Sequence, residues 1–162
     1  MAKVDYFLKL DEIPGESSDH KHAGEIDLQS WSWGEANSGT HGSGGGGGAG
    51  KVSVQDFHFV MLHTKASPKL MLACANGHHI KQGILTCRKA GKDQQEFLVI
   101  KMTDLLVSSY QSGGSGHSDV IPTDQISLNF AKIEWEYKEQ KPDGTLGGST
   151  KAGWDVKANK AV

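Results

Sequence analysis

The chain reads as a mainly β protein with one short α-helix, its strands coiled into a small barrel or into two sheets that share strands. Three observations predict this. Apolar and polar residues alternate along several segments, the apolar set changes parity partway along three of them, and one stretch carries helix boundary signals. A strand cannot move its apolar side chains to the other face unless it bends through an extra residue or is covered on both sides. Three strands with that habit predict strong coiling.

The first strand comes from Val4, Tyr6, Leu8 and Leu10 alternating with Asp5, Lys9 and Asp11, with Phe7 as the exception. Pro14-Gly15 ends it, and a polar, histidine-containing loop follows through Lys21. The next strand starts with Ile26 and Leu28 on even positions and continues with Trp31 and Trp33 on odd ones, so its apolar face changes sides near Gln29-Ser30. Val52 and Val54 give way to Phe57, Phe59 and Met61 in the same manner. Ser67 as N-cap, Pro68 at the first helical position and Asn76-Gly77 as the stop predict a helix of two to three turns. Strand-like residues then run from Ile80 to Lys89, a turn is expected at Ala90 to Asp93, and the run from Phe97 to Tyr110 is apolar on both faces, as in a central strand. Gly113 to Gly116 forms a connection to a long strand in which Ile126, Leu128 and Phe130 switch to Ile133, Trp135 and Tyr137. That segment alone would span about 40 Å at ~3.3 Å per residue, so part of it is expected to be covered by something outside its own sheet. Pro142-Asp143-Gly144 is a turn, and Trp154 to Lys157 a short closing strand.

At 162 residues the chain fits one domain, residues 1–162, and no second domain is expected. Seventeen Lys and Arg against 19 Asp and Glu leave a formal charge of -2, which points to neither a polyanion nor a membrane surface as partner. No signal peptide or membrane-spanning stretch is read at the N-terminus. Cys74, expected on the helix, and Cys87, expected on a strand, read as free thiols in a reducing cytoplasm.

Between Gly34 and Gly50 stand nine of the 21 glycines. Gly45 to Lys51 satisfies most of a phosphate-binding loop, but Val52 replaces the hydroxyl that would hold Mg²⁺ and a strand follows where a helix N-terminus is needed. The eight histidines, among them His20, His22 and the pair His78-His79, show no zinc spacing, so neither metal nor cofactor is expected. No nucleophile elbow or carboxylate pair emerges, so no catalytic residues are assigned. Trp31, Trp33, Trp135 and Trp154 could stack on sugars, but flanking tryptophans on a strand serve more often as core or interface aromatics. Ser32, between two of them, points the other way and is the best single candidate for a functional face.

These residues together resemble the Hcp family, the haemolysin-coregulated tube proteins of bacterial type VI secretion. The resemblance is carried by Tyr6-Phe7-Leu8-Lys9-Leu10, Pro14-Gly15-Glu16-Ser17, Ile26-Asp27, Trp31-Ser32-Trp33-Gly34, the glycine run into Gly50-Lys51-Val52, and Val54-Gln55-Asp56. Ser67-Pro68-Lys69-Leu70-Met71, Arg88 to Gly91, Leu106 to Ser109, Gly113 to Gly116, Leu128 to Ile133 and Gly153-Trp154-Asp155 extend it over nearly the whole chain.

The resemblance implies two sheets forming a small β-barrel with one helix, six copies closing into a hexameric ring, and rings stacking into a tube. A contractile sheath would propel this tube with a VgrG-type spike at its tip, and small effector proteins would be carried and protected in the lumen. The protein would reside in the bacterial cytoplasm before firing and be secreted afterwards. On this reading Ser32 lines the lumen, while Gly39, Gly42, Gly45, Gly48, Gly50, Lys51 and Val52 contact a neighbouring subunit or ring. The rivals are a monomeric barrel or sandwich binding a small ligand such as a carbohydrate through its tryptophans, and a histidine-dependent metal hydrolase.

Overall fold

The computed structural model describes residues 3–39, 50–89, 94–117 and 119–162. Strands β1 (Val4–Leu10), β2 (Ile26–Leu28), β3 (Ser30–Ser32), β4 (Glu35–Asn37), β5 (Val52–Val54) and β6 (Phe57–Leu62) precede helix α1 (Ala66–Asn76). Strands β7 (Ile80–Lys89), β8 (Glu96–Gly113), β9 (Thr123–Gln140), β10 (Leu146–Asp155) and β11 (Lys160–Ala161) follow it.

The expected parity changes mark places where the chain changes partner. At Gln29 the apolar face flips because β2 pairs with β1 whereas β3 pairs with β6. At Gln55-Asp56 it flips again, since among the described residues β5 pairs with β4 alone whereas β6 joins β3 and β9. In β9 the strand stays continuous and bends instead. Asp104 of β8 has φ +55° and lies between the register pairs Thr103–Lys132 and Leu105–Phe130. Burial in β7, β8 and β9 moves from one parity to the other at that level, from Ile80 to Gly83, from Met102 to Leu105 and from Phe130 to Ile133. One crease therefore crosses three strands, as a bulge-like distortion in the middle strand requires.

The sheet runs β11-β10-β9-β8-β7-β1-β2, and β6 returns to β9 after pairing with β3. β2 and β3 are separated only by Gln29, whose N–H donates to Val60 O at 2.8 Å, so the chain curls back towards β6 and β9. No ladder joins β2 to β3 or β6 among the described residues, however, and where a closed small barrel was expected the strands form one curled sheet. Its two walls belong to one ladder, and β9 gives the same edge to β6 over its first half and to β10 over its second. Phe57, Phe59, Met61, Leu85, Ile100, Met102, Ile126 and Leu128 fill the interior, each 0% exposed. Each such burial contributes about 1.5–3 kcal/mol.

Helix α1 covers this core with Ala66, Leu70 and Ala73 and ends at Gly77, which adopts φ +67° and donates its N–H to Ala73 O, as expected of a glycine stop. Its start differs from the expectation. Lys65 occupies the N-cap without a side-chain bond, placing Ser67 and Pro68 inside the first turn. Ser67 Oγ still accepts the Thr64 N–H at 3.0 Å, but its hydroxyl is drawn inward to Asp124. The closing strand is also longer than expected: Trp154 and Asp155 end the ten-residue β10, and Val156-Lys157 lie in the turn before β11. The turn expected at Ala90 to Asp93 lies outside the described residues.

Candidate functional site

Ser32 and its flanking tryptophans occupy opposite sides of the sheet, as alternation demands. Trp31 packs inward, stacked on Phe57 at 5.8 Å between ring centroids and edge-on to Tyr6 at 6.4 Å. Ser32 is exposed, and the register extends it into a row across four strands: Ser32 faces His58, His58 faces Ser127, and Ser127 faces Ser109. His58 Nδ1 lies 3.1 Å from Ser127 Oγ. The adjoining outward row is Ser30, Val60, Gln125 and Gln111. Beside them, Asp56 accepts hydrogen bonds from Ser108 Oγ at 2.7 Å and Asn129 Nδ2 at 2.9 Å. Apart from Val60 and His58 the two rows consist of hydroxyl and amide side chains, with the Asp56 carboxylate at their margin.

A second feature lies where the β4–β5 arm stands over β9 and β10. Ile133 is paired with Trp154 and Trp135 with Ala152, so these four share a sheet face. With Trp33 and Val52 they line an open groove of about 670 Å³. Trp33 Nε1 donates to Gln55 O at 2.8 Å, whereas the indole N–H groups of Trp135 and Trp154 are buried without a hydrogen-bond partner among the described residues. Such groups normally find an acceptor. Of the contact residues expected from the sequence, Gly39, Gly50, Lys51 and Val52 gather at the far end of the arm, away from the Glu35–Val54 pair. Asn37 Nδ2 donates to Gly50 O at 2.8 Å, Gly39 N–H donates to Asn37 O at 3.1 Å, and Val52 pairs with Asn37. Gly42, Gly45 and Gly48 lie outside the described residues. Lys51 leads directly into β5, so the phosphate-loop pattern lacks its helix here. Ser32 and the arm are separate sites, one on the polar face and one at the groove.

Histidines meet carboxylates at several points. Both ring nitrogens of His22 contact glutamates, Glu25 at 2.8 Å and Glu96 at 2.7 Å, while its ring stacks on Phe7 at 4.5 Å. Arg88, 3% exposed, lies over the same Phe7 ring and donates to Asp19, whose carboxyl it holds well below the usual range. Ser67, Asp124 and His63 also touch, but Asp124 sits between the other two and Ser67 is fully buried. A nucleophilic serine needs the histidine beside it and an open approach. Among the described residues no group of three or more His, Cys, Asp or Glu is placed to hold a metal. The same residues contain no helix long and apolar enough to cross a membrane.

A curled β sheet that presents a hydroxyl- and amide-rich face and an aromatic groove defines a mainly β structural protein whose working parts are surfaces. The family described as "Type VI secretion system effector, Hcp" matches residues 7–137. Over 158 residues the chain is 52% identical to Protein hcp1 of Pseudomonas aeruginosa, covering 96% of this chain and 97% of that protein. It superposes on the crystal structure of Hcp1 from Salmonella typhimurium with a TM-score of 0.81 at 38% identity, both chains covered completely. A solved type six secretion system protein gives a TM-score of 0.92 at 32% identity, covering 99% of this chain and 100% of the other. The chain belongs to the Hcp family, the tube proteins of type VI secretion.

Alternation with Phe57 and Phe59 already turns His58 towards a surface or interface, as the structure finds it. Its place between Ser32 and Ser127 became legible only through the β3–β6 and β6–β9 registers. Trp154, read as part of a short closing strand, takes its place in the groove because β10 is long enough to pair it with Ile133.

Proposed function

We propose that the chain is a single-domain, non-enzymatic subunit that closes with five copies of itself into a hexameric ring, and that rings stack into the inner tube of the secretion machine. The observation that supports this best is the pairing of a hydroxyl- and amide-rich face with an open tryptophan groove on one curled sheet. Ser32 and its row line the channel and meet exported effector proteins there. The groove and the arm, with Gly39, Gly50, Lys51 and Val52, meet a neighbouring subunit, and the segment carrying Gly42, Gly45 and Gly48 reaches the same neighbour or the next ring. The VgrG-type spike and the contractile sheath are the remaining partners, and the protein passes from the bacterial cytoplasm to the exterior with its cargo.

Light scattering with negative-stain imaging of concentrated protein tests this: annular particles of about six subunits are expected. A lone particle near 17.4 kDa at all concentrations would overturn it. One observation favours a second reading, since three tryptophans bordering an open groove also suit a sugar ring. That reading predicts a stable monomer with saturable binding of one small carbohydrate.

A further inference from the structure

We propose that His58 makes the Ser32 row an acid-strengthened binding surface for carboxylate-rich segments of exported polypeptide. The inference rests on the reading that this row faces cargo and adds what it recognises. Its basis is the four-strand register, which places one imidazole between the hydroxyls of Ser32 and Ser127, with Ser109 completing the row. Histidine is the side-chain type that changes charge between about pH 5 and 8.

Across from His58 on β3 stand Ser30 and Ser32, and across on β9 stand Gln125 and Ser127. Beyond them on β8 are Ser109 and Gln111, with Ser108 in the adjoining bulge. The nearby acid is Asp56, two residues away and already accepting from Ser108 and Asn129. Neutral, the row offers both donors and acceptors. Protonated, His58 turns both ring nitrogens into donors and adds a positive charge, while the serine hydroxyls rotate to donate as well. A carboxylate, which only accepts, then fits the row better than an amide or a base.

The test uses the full chain in its assembled form and a fluorescein-labelled deca-aspartate peptide as probe, followed by anisotropy at pH 7.5 and 5.5 in low salt. Wild type is expected to bind roughly threefold to tenfold tighter at the lower pH, the range of a modest partly exposed charge contact. His58→Gln removes that gain, and His58→Lys, with its fixed charge, binds tightly at both pH values. A gain in His58→Gln equal to that of wild type, or no gain in wild type, overturns the proposal. A His58-dependent gain on protein that sediments only as monomers would uphold the chemistry of the row and overturn the channel reading instead.

Discussion

Ser67 Oγ donates to Oδ2 of Asp124 at 2.5 Å, and both residues are fully buried. This contact ties the first turn of α1 to the start of β9, and His63 adds a second tie to Oδ1 at 3.1 Å. Burial opposes ionisation of Asp124, but hydrogen bonds from Ser112, Ser67 and His63 outweigh it and hold the carboxyl below the ordinary range. A carboxyl depressed in the folded state stabilises the fold above its unfolded value, and that contribution is lost as pH falls through the folded value. Wild type is therefore expected to lose stability from about pH 4 downward. Asp124→Asn should start about 2–4 kcal/mol lower at neutral pH and change less over the acid window. Denaturant titrations at several pH values decide this, and parallel curves for the two proteins would remove Asp124 from the account.

Cys87 is 1% exposed, and burial pushes its thiol up to about 12. Cys74 is half-buried on α1. A disulfide-exchange dye at pH 8 should titrate one thiol quickly in native protein and both only after unfolding. Two fast thiols in the native state would mean that the wall around Cys87 opens.

A Cβ on Gly15 would stand 2.4 Å from the carbonyl oxygen of Glu25, which is backbone. At Gly83 it would meet the side-chain ends of Leu10 at 2.9 Å and Leu105 at 3.1 Å. Side-chain ends move more cheaply than a paired backbone segment. Gly15→Ala is thus expected to cost about 2–3 kcal/mol and Gly83→Ala about 1 kcal/mol in chemical denaturation. The reverse order would show that the loop around Gly15 yields more easily than the core.

Ser32→Arg adds a long charged side chain to an exposed site. Stability should change by no more than about 0.5 kcal/mol, and rings should still form. Retention of a co-expressed effector should fall sharply, as read by its recovery with purified rings. Full recovery would place cargo elsewhere. Removing Gly42 to Gly48 tests the other surface: subunit or ring contact should weaken while the melting of the isolated subunit stays nearly constant.

Much of the curled sheet was legible because parity is a strict bookkeeping of faces. The flips at Gln29 and Gln55-Asp56 are visible in the chain, and each proved to be a change of partner. The bend within β9 was equally visible, but its companion on β8 was not, since Asp104 gives no sign in the sequence that it takes φ +55°. The arm strand Glu35–Asn37 and most of β10 escaped because their residues are small, polar and exposed, leaving no apolar alternation to read. Ser67 misled for a physical reason: its hydroxyl serves a buried carboxylate as well as the helix end. At the site, Ser32 could be found between two tryptophans and His58 could be turned outward by alternation, whereas their meeting depends on strand pairings separated by many residues.

The edge that β9 shares between β6 and β10 makes it a stave common to both walls. Neither wall can be lifted away while the other stays whole, because each leans on half of the same backbone. Melting of the subunit should accordingly be one concerted event, with amide protection along residues 123–140 disappearing together and last.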